Sequence, residues 1–282
     1  PPPPPSPAGV VGVPVEALGM RSGSFSAARF SHLVSRLRTL DPDVVHTWMY
    51  HADLLGGLAA RLARFRAVAW GLHNSNLDPG KSKGATRLVM RACALVSGWV
   101  PRRILSCSER ARRVHVAAGY SSAKMVVIPN GFDIERFRPD PGARGSVRAE
   151  LGLAGDALLV GLISRDDPQK NYSGFVAAAR LVHCGLPNVH FVMAGTGIDA
   201  GNEPLRRAIE RAGLGRVCHL LGRREDVPRL MASLDVVASP SHSEAFPNVL
   251  GEAMACAVTC VVTDAGNWAD IVGDTGRVVP VA

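Results

Sequence analysis

The chain lacks any uninterrupted apolar run of about eighteen residues, and its most apolar helix candidate, around Leu88 to Val100, carries Arg91 inside it. A membrane-spanning helix is therefore not expected. CxxC pairs are also missing. Cys93, Cys107, Cys184, Cys218, Cys256 and Cys260 are scattered through apolar segments, the usage of reduced, buried, cytosolic thiols. Cys256 and Cys260 stand four apart, yet no second ligand pair lies nearby in sequence, so their structural reading leads over a metal site. There is no initiator Met, and Pro1 to Pro5 lacks the basic-then-apolar layout of a secretory signal. That run reads as extended polyproline, and the true start is expected upstream. No GxGxxG follows an early strand, which disfavours a dinucleotide-dependent oxidoreductase, and no repeat of solenoid period is visible.

What is present points to an ordinary globular protein. The 282 residues, 47% hydrophobic and 20% charged, exclude a stapled mini-fold, wholesale disorder and collagen-like order, and suffice for two domains. A formal charge of +8 attracts polyanions without choosing among nucleic acid, anionic lipid and phosphorylated substrates.

Short apolar runs bounded by turn residues recur at 44–46, 68–72, 104–107, 126–128, 158–163, 189–194, 217–221, 236–238 and 258–262, the pattern of buried parallel strands. Segments of helical spacing lie between most of them, which makes the chain α/β. Turn formers gather from Asn130 to Gly145 and mark the best boundary: a first domain over 1–139, a linker over 140–157 and a second domain over 158–282. Ligands bind at the carboxyl ends of such strands, so a site between the two sheets is expected.

The segment SPSHSEAFPNVLGEAMA, Ser239 to Ala255, is the most informative. A strand ends, a polar loop carries Glu244, and Pro247 stands where a helix begins. The amides of Asn248, Val249 and Leu250 at that helix start, with the helix dipole behind them, suit a phosphate. Glu252 is placed to accept hydrogen bonds from sugar hydroxyls, with Glu244 nearer the other end of a ligand. The Glu spacing alone is weak; its context strengthens it. Arg165 and Lys170 in ISRDDPQKNYSGF follow another strand, before a helix that Asn171 can cap, and two cations there can grip a diphosphate. The competing reading is a pair of surface salt bridges with Asp166 and Asp167. Gly195 and Gly197 in AGTG allow backbone close to a ligand, or only a tight turn. His46 is read first as a hydrogen-bonded core residue, whereas for His73, before Asn74 and Ser75, core and cleft readings stand level. The basic stretch Arg102 to Arg113 reads as a solvated face before a patch for anionic lipid or a charged acceptor.

Taken together, DVVHTWMYH, VVIPNGFDIERFRP, the Arg165 and Lys170 pair, VHFVMAGTG, VCHLLGRREDVPRLMASLDVVASPS and SEAFPNVLGEAMA resemble, in their order, the retaining glycosyltransferases of family 4. The resemblance runs from about Asp43 to Pro280 and implies a GT-B fold of two facing Rossmann-like domains with parallel sheets. It implies transfer of a sugar from a UDP- or GDP-linked donor to a glycan, lipid-linked or other glycoconjugate acceptor, with retention, no metal and no cofactor beyond the nucleotide sugar. It also implies roles: Arg165 and Lys170 on the donor diphosphate, Glu252 on the ribose, Glu244 on the transferred sugar, and His73 near the reacting centre. Backbone around Arg223 and Arg224 would lie beside the base, and Gly195, Gly197, Phe246, Asn248 and Val249 complete the donor side.

Departures are local: Ser164 where glycine usually precedes the arginine, Ala257 and Thr259 for the usual Gly and Pro, EAF for EGF. The chain is expected to start at the family's third strand, in GVVGVPVEALGM, without its glycine-rich loop, and to stop before its last helices. That would leave an exposed apolar edge and makes a catalytically incomplete donor-binding fragment the alternative reading. The expected setting is cytoplasmic, peripheral to an anionic membrane's inner face, with no nucleic-acid partner.

Overall fold

The computed structural model describes residues 14–20, 25–74, 84–266 and 268–281. The Pro1 to Pro5 run and Ser75 lie outside them. Contacts gather the described residues into two units, one lying within 1–72, 78–105 and 116–126, the other within 73–77, 106–115 and 127–282.

In the first unit, strands β1 (Val45–Trp48), β2 (Val68–Leu72), β3 (Arg103–Ser106) and β4 (Met125–Val127) form a sheet in that order, with β1 parallel to β2. Ser106 and Val127, at the strand ends, count with the second unit. Helix α1 (Ala27–Leu40) starts on Ser26, whose hydroxyl accepts from the Arg29 amide, and stops at Asp41 in the left-handed region, an ordinary cap and exit. Helices α2 (Tyr50–Leu62) and α3 (Gly84–Val96) follow. Residues 14–20, expected within a strand, form none. Pro14 lacks a ladder donor, and Glu16 instead binds Arg36 and His32 of α1 while the Leu18 carbonyl accepts from Arg29. His46 is exposed and tilted against Trp48, 4.7 Å between ring centroids, which corrects the core reading. Side chains alternate on a strand, and here Thr47 takes the buried face.

Asp53 of α2 is fully buried, with one oxygen accepting from the Thr47 hydroxyl at 2.6 Å and the other without a partner. Burial pushes its carboxyl from 3.8 up to about 7, against the pull of Thr47 and the Gly71 amide. The folded state therefore holds the proton more tightly than the unfolded chain. Its contribution is fully present below pH 3.8 and is lost as pH rises through 7, roughly 4 kcal/mol in all. Asp53→Asn should remove that loss: the stability difference between variant and wild type should shift in the variant's favour from pH 4 to pH 7, read by denaturant unfolding on the buried Trp70. A difference independent of pH would refute the assignment.

The second unit holds β5 (Leu158–Ile163), β6 (Val189–Ala194), β7 (Cys218–Leu220), β8 (Val236–Ser239), β9 (Thr259–Thr263) and β10 (Arg277–Val279), in the order β10-β9-β8-β5-β6-β7 with parallel neighbours. Apolar runs become strands here because both faces are covered. On one side Val192, Val237, Leu250 and Trp268 share a core; on the other Phe191 and Met193 pack with Phe175, Leu205 and Ile209. Helices α4 (Glu109–Ala117), α5 (Pro141–Glu150), α6 (Tyr172–Gly185), α7 (Glu203–Arg211), α8 (Val227–Ala232), α9 (Asn248–Ala255) and α10 (Trp268–Val272) complete the described elements, α4 crossing from this unit at its last two residues. Strand β10 carries no apolar-run signal in the sequence, being three residues long and largely exposed.

Residues 140–157, expected as a linker, are instead built into this unit. Asp140 caps α5 through the Gly142 amide, Pro141 occupies its first turn, and Val147 joins the core with Phe137, Leu151 and Leu153. Turn formers cluster there because Asp, Pro and Gly also start helices. Inside α5, Arg148 is 1% exposed and ion-paired to Asp235 at 2.7 Å. Cys184 is exposed and Cys218 half-buried, unlike the expected burial of all six thiols. No helix among the described residues is long and apolar enough to cross a membrane.

Candidate functional site

Three strand ends of the second unit are tied together by backbone. The Ser164 amide donates to the Ala194 carbonyl and Asp166 to Thr196, the Gly195 amide to Gly222, and Gly222 to Ile198. Gly195 has φ +151, and a Cβ on it would lie 1.9 Å from the Ser164 carbonyl oxygen; only glycine fits. Gly197, at φ +80, would bring a Cβ to 3.0 Å from that of Asp166. Both glycines thus serve close approach between loops of the protein itself. Ser164, the departure from glycine, has its hydroxyl 3.0 Å from the Tyr172 hydroxyl, which also donates to the Ser164 carbonyl at 2.7 Å.

The loop after β5 carries the two cations. Asp167 accepts from the Gln169 amide, which holds its carboxyl below the usual range with help from Arg165. Arg165 pairs with Asp167 at 3.0 Å while remaining 70% exposed. Asn171, in the left-handed region, caps α6 through the Gly174 amide. Lys170 is turned the other way and forms an ion pair with Glu244, both largely buried at 17% and 15% exposure. Glu244 also accepts from the Ser241 hydroxyl at 3.2 Å, and its amide donates to the Ala265 carbonyl. The His242 amide donates to the Gln169 carbonyl, and the Asn171 amide group to that of Pro240. The loops after β5 and β8 are thereby latched to each other.

Helix α9 begins at Asn248 with Pro247 as the residue before it, and the Leu250 amide donates to the Pro247 carbonyl. This removes Leu250 from the expected set of outward amides, because the first turn is tightened. Asn130 donates to the Asn248 side chain at 2.8 Å, and Phe132 stacks on Phe246 at 6.1 Å. A Cβ on Gly251 would sit 2.0 Å from the Phe132 ring, so a small residue in α9 is what admits that ring. Glu252 is half-buried; burial raises its carboxyl, opposed by the charge of Arg136. Val249 leans on the core.

A cleft of about 290 Å³ is lined by His73, Asn74, Cys107, Asn130, Arg165, Gln169, Ser243, Glu244, Ala245, Phe246 and Asn248, all residues of the second unit. It collects five expected site residues, His73, Arg165, Glu244, Phe246 and Asn248, and Lys170 reaches it through Glu244. Gly195, Gly197, Arg223, Val249 and Glu252 do not line it. Arg223 is 74% exposed beside Glu225, whereas Arg224 is tied to Glu150 and Asp226. Asn130, Asn74, Cys107, Gln169 and Ser243 also line the cleft, and no local signal in the sequence marks them as site residues. Cys107 is buried and its thiol is pushed up by that burial, so it forms wall rather than nucleophile. Among the described residues no group of three His, Cys, Asp or Glu side chains could hold a metal. Chemically, the cleft offers cations, a helix start and one carboxylate to a ligand with an anionic and a hydroxyl-bearing part.

Comparison with known proteins matches residues 1–136 to the model of Glycosyltransferase Family 4 and residues 156–282 to that of Glycosyl transferases group 1. The chain belongs to the family 4 glycosyltransferases. The chain is 28% identical over 225 residues to the UDP-Gal:alpha-D-GlcNAc-diphosphoundecaprenol alpha-1,3-galactosyltransferase of Escherichia coli, covering 79% of itself and 58% of the relative. It is 33% identical over 185 residues to the D-inositol 3-phosphate glycosyltransferase of Mycobacterium tuberculosis strain F11, covering 63% of itself and 37% of the relative. It therefore spans little more than half of the first and about a third of the second. The crystal structure of Anabaena Alr3699/HepE in complex with UDP-glucose superposes with a TM-score of 0.77 at 26% identity, covering 89% of this chain and 68% of that one. The two sheets are those of the GT-B fold.

Proposed function

We propose that this chain acts in the transfer of a sugar from a UDP- or GDP-linked donor to a glycan or lipid-linked acceptor, with retention of configuration and without a metal or further cofactor. The observation that carries the reading is the cleft in which Arg165, the Lys170–Glu244 pair and the start of α9 converge. An entering diphosphate would draw Lys170 from Glu244 and take Arg165 as a bidentate partner, with the amides of Asn248 and Val249 adding partial positive charge. Charge developing on the leaving diphosphate would meet donors already in position. Glu244, released from the lysine, would accept from the hydroxyls of the transferred sugar, and Glu252 from those of the ribose. His73 on the cleft wall would face the reacting centre, and backbone near Arg223 would border the base.

Titration of the chain with UDP and with GDP by calorimetry tests the reading, followed by a screen of UDP- and GDP-linked sugars for hydrolysis or transfer. One of the two nucleotides is expected to bind, at least tenfold less tightly in Arg165→Ala. Binding of neither would sink the proposal, and binding without turnover would restrict this chain to donor recognition. Contact with an anionic membrane belongs to the same reading, because one relative's name specifies a diphosphoundecaprenol acceptor.

A further inference from the structure

Helix α3 of the first unit buries Cys93 but turns Leu88, Arg91 and Leu95 outward. Leu88 and Leu95 are 70% and 87% exposed, and Trp99, just past the helix, is 59% exposed. Residues 88, 91 and 95 recur at helical spacing, so one stripe of α3 carries them. Leu62 at the end of α2 is 58% exposed, and its neighbour Arg61 lies over the Trp99 ring at 5.2 Å. Lys124, bound to the Pro101 carbonyl at 2.7 Å, feels the charges of both Arg61 and Arg103: beyond the effect of burial, they lower its affinity for a proton. Arg61 and Arg103 thus each repel Lys124, and none of the three has a carboxylate ion-pair partner among the described residues. Several arginines of the second unit, among them Arg206, Arg207, Arg224 and Arg229, are by contrast ion-paired.

Unscreened like charges beside exposed leucine and indole are costly in water. They match a phospholipid interface, where apolar tips enter the acyl boundary, indole sits at headgroup depth and arginine stems snorkel to phosphate. We propose that the face bearing Leu88, Leu95, Trp99, Arg61, Arg103 and Lys124 docks on an anionic membrane surface. The proposal deepens the acceptor side of the function above and rests on it for its purpose, but the docking is measured with no sugar nucleotide present. It can therefore fail while donor binding stands. The basic stretch Arg102 to Arg113 divides accordingly. Arg103 belongs to this face; Arg112 is paired with Glu109, and Arg110 donates to the Gly266 carbonyl.

Co-sedimentation of the full chain with vesicles of phosphatidylcholine, with and without about one third phosphatidylglycerol, decides the matter. Binding is expected to the anionic vesicles and to fall by at least tenfold on pure phosphatidylcholine. Replacing Arg61 and Arg103 together by Glu should lower it by roughly 30-fold or more, since each cation near such a surface contributes about fivefold. Leu95→Ser with Trp99→Ala should also release the chain, while unchanged circular dichroism and UDP affinity show that the fold survives. The Trp99 contribution to fluorescence, taken by difference from Trp99→Phe, should shift to the blue on anionic vesicles only. Equal binding to both vesicle types, binding to neither, or variants that bind as wild type would overturn the proposal. So would a concentration-dependent dimer abolished by Leu95→Ser, which would assign the face to a second copy.

Discussion

Lys170→Ala should weaken binding of the preferred nucleoside diphosphate by roughly ten- to a hundredfold, the range for loss of a hydrogen bond to a charged partner. Lys170 is 17% exposed and already neutralised by Glu244, so an incoming diphosphate exchanges one anion for another on the same ammonium. The companion variant separates that exchange from simple damage. Glu244→Gln leaves the lysine without a counterion and should bind the bare diphosphate as tightly as wild type or more so, yet gain less from an attached sugar. Combined in a double-mutant cycle, the two substitutions should be clearly non-additive. Calorimetry with UDP, GDP and the matching sugar nucleotide reads all three quantities. Wild-type affinity in Lys170→Ala would remove the lysine from the donor site.

Arg148→Ala should destabilise the second unit by about 3–5 kcal/mol, the cost of stripping one partner from a buried ion pair. The guanidinium donates to the Ala157 carbonyl at 2.7 Å, the Ser233 carbonyl at 3.0 Å, the Arg144 carbonyl at 3.2 Å and Asp235 at 2.7 Å. Asp235 in turn accepts from the Leu159 amide at 2.8 Å and pairs with Arg144. One side chain thus joins α5, the entry to β5, the end of α8 and the start of β8. Truncation leaves three carbonyls and a carboxylate short of a donor and opens a cavity. Arg148→Ala with Asp235→Ala should cost less than the sum of the single changes, because both single changes remove the same hydrogen-bonded ion pair. Denaturant unfolding read on Trp268, the buried tryptophan of this unit, measures both. A loss below about 1 kcal/mol would show the pair to be replaceable.

Elements with their own local signal were legible from residues alone. Continuous apolar runs gave strands near their observed limits, as at 158–163 and 189–194, because both faces of a parallel sheet exclude water. Short or one-sided elements were not: Arg277–Val279 has too few apolar residues, and α5 hides behind the Asp, Pro and Gly that start it. Nothing local in the sequence shows that the pleat sends Thr47 inward and His46 out. The site was legible as residue types at strand ends. Its pairing was not, since Lys170 and Glu244 are 74 positions apart and nothing local shows that the lysine turns from Asp167 to meet that glutamate. Likewise the close packing of Gly195 on Ser164 and of Phe132 on Gly251 depends on partners distant in the chain.

The fit of Phe132 against Gly251, with Asn130 held by Asn248, bears on modular engineering. Anyone grafting the donor-binding unit onto another chain would choose a junction from the turn-rich stretch near residue 139, or from the expected linker that ends at 157. Either cut would separate α9 from the ring that fills its groove, and the later one would also remove Arg148. A transplantable cassette starts at 127, carries Asn130 and Phe132 with it, and needs equivalents of His73, Asn74 and residues 106–115 from its new host.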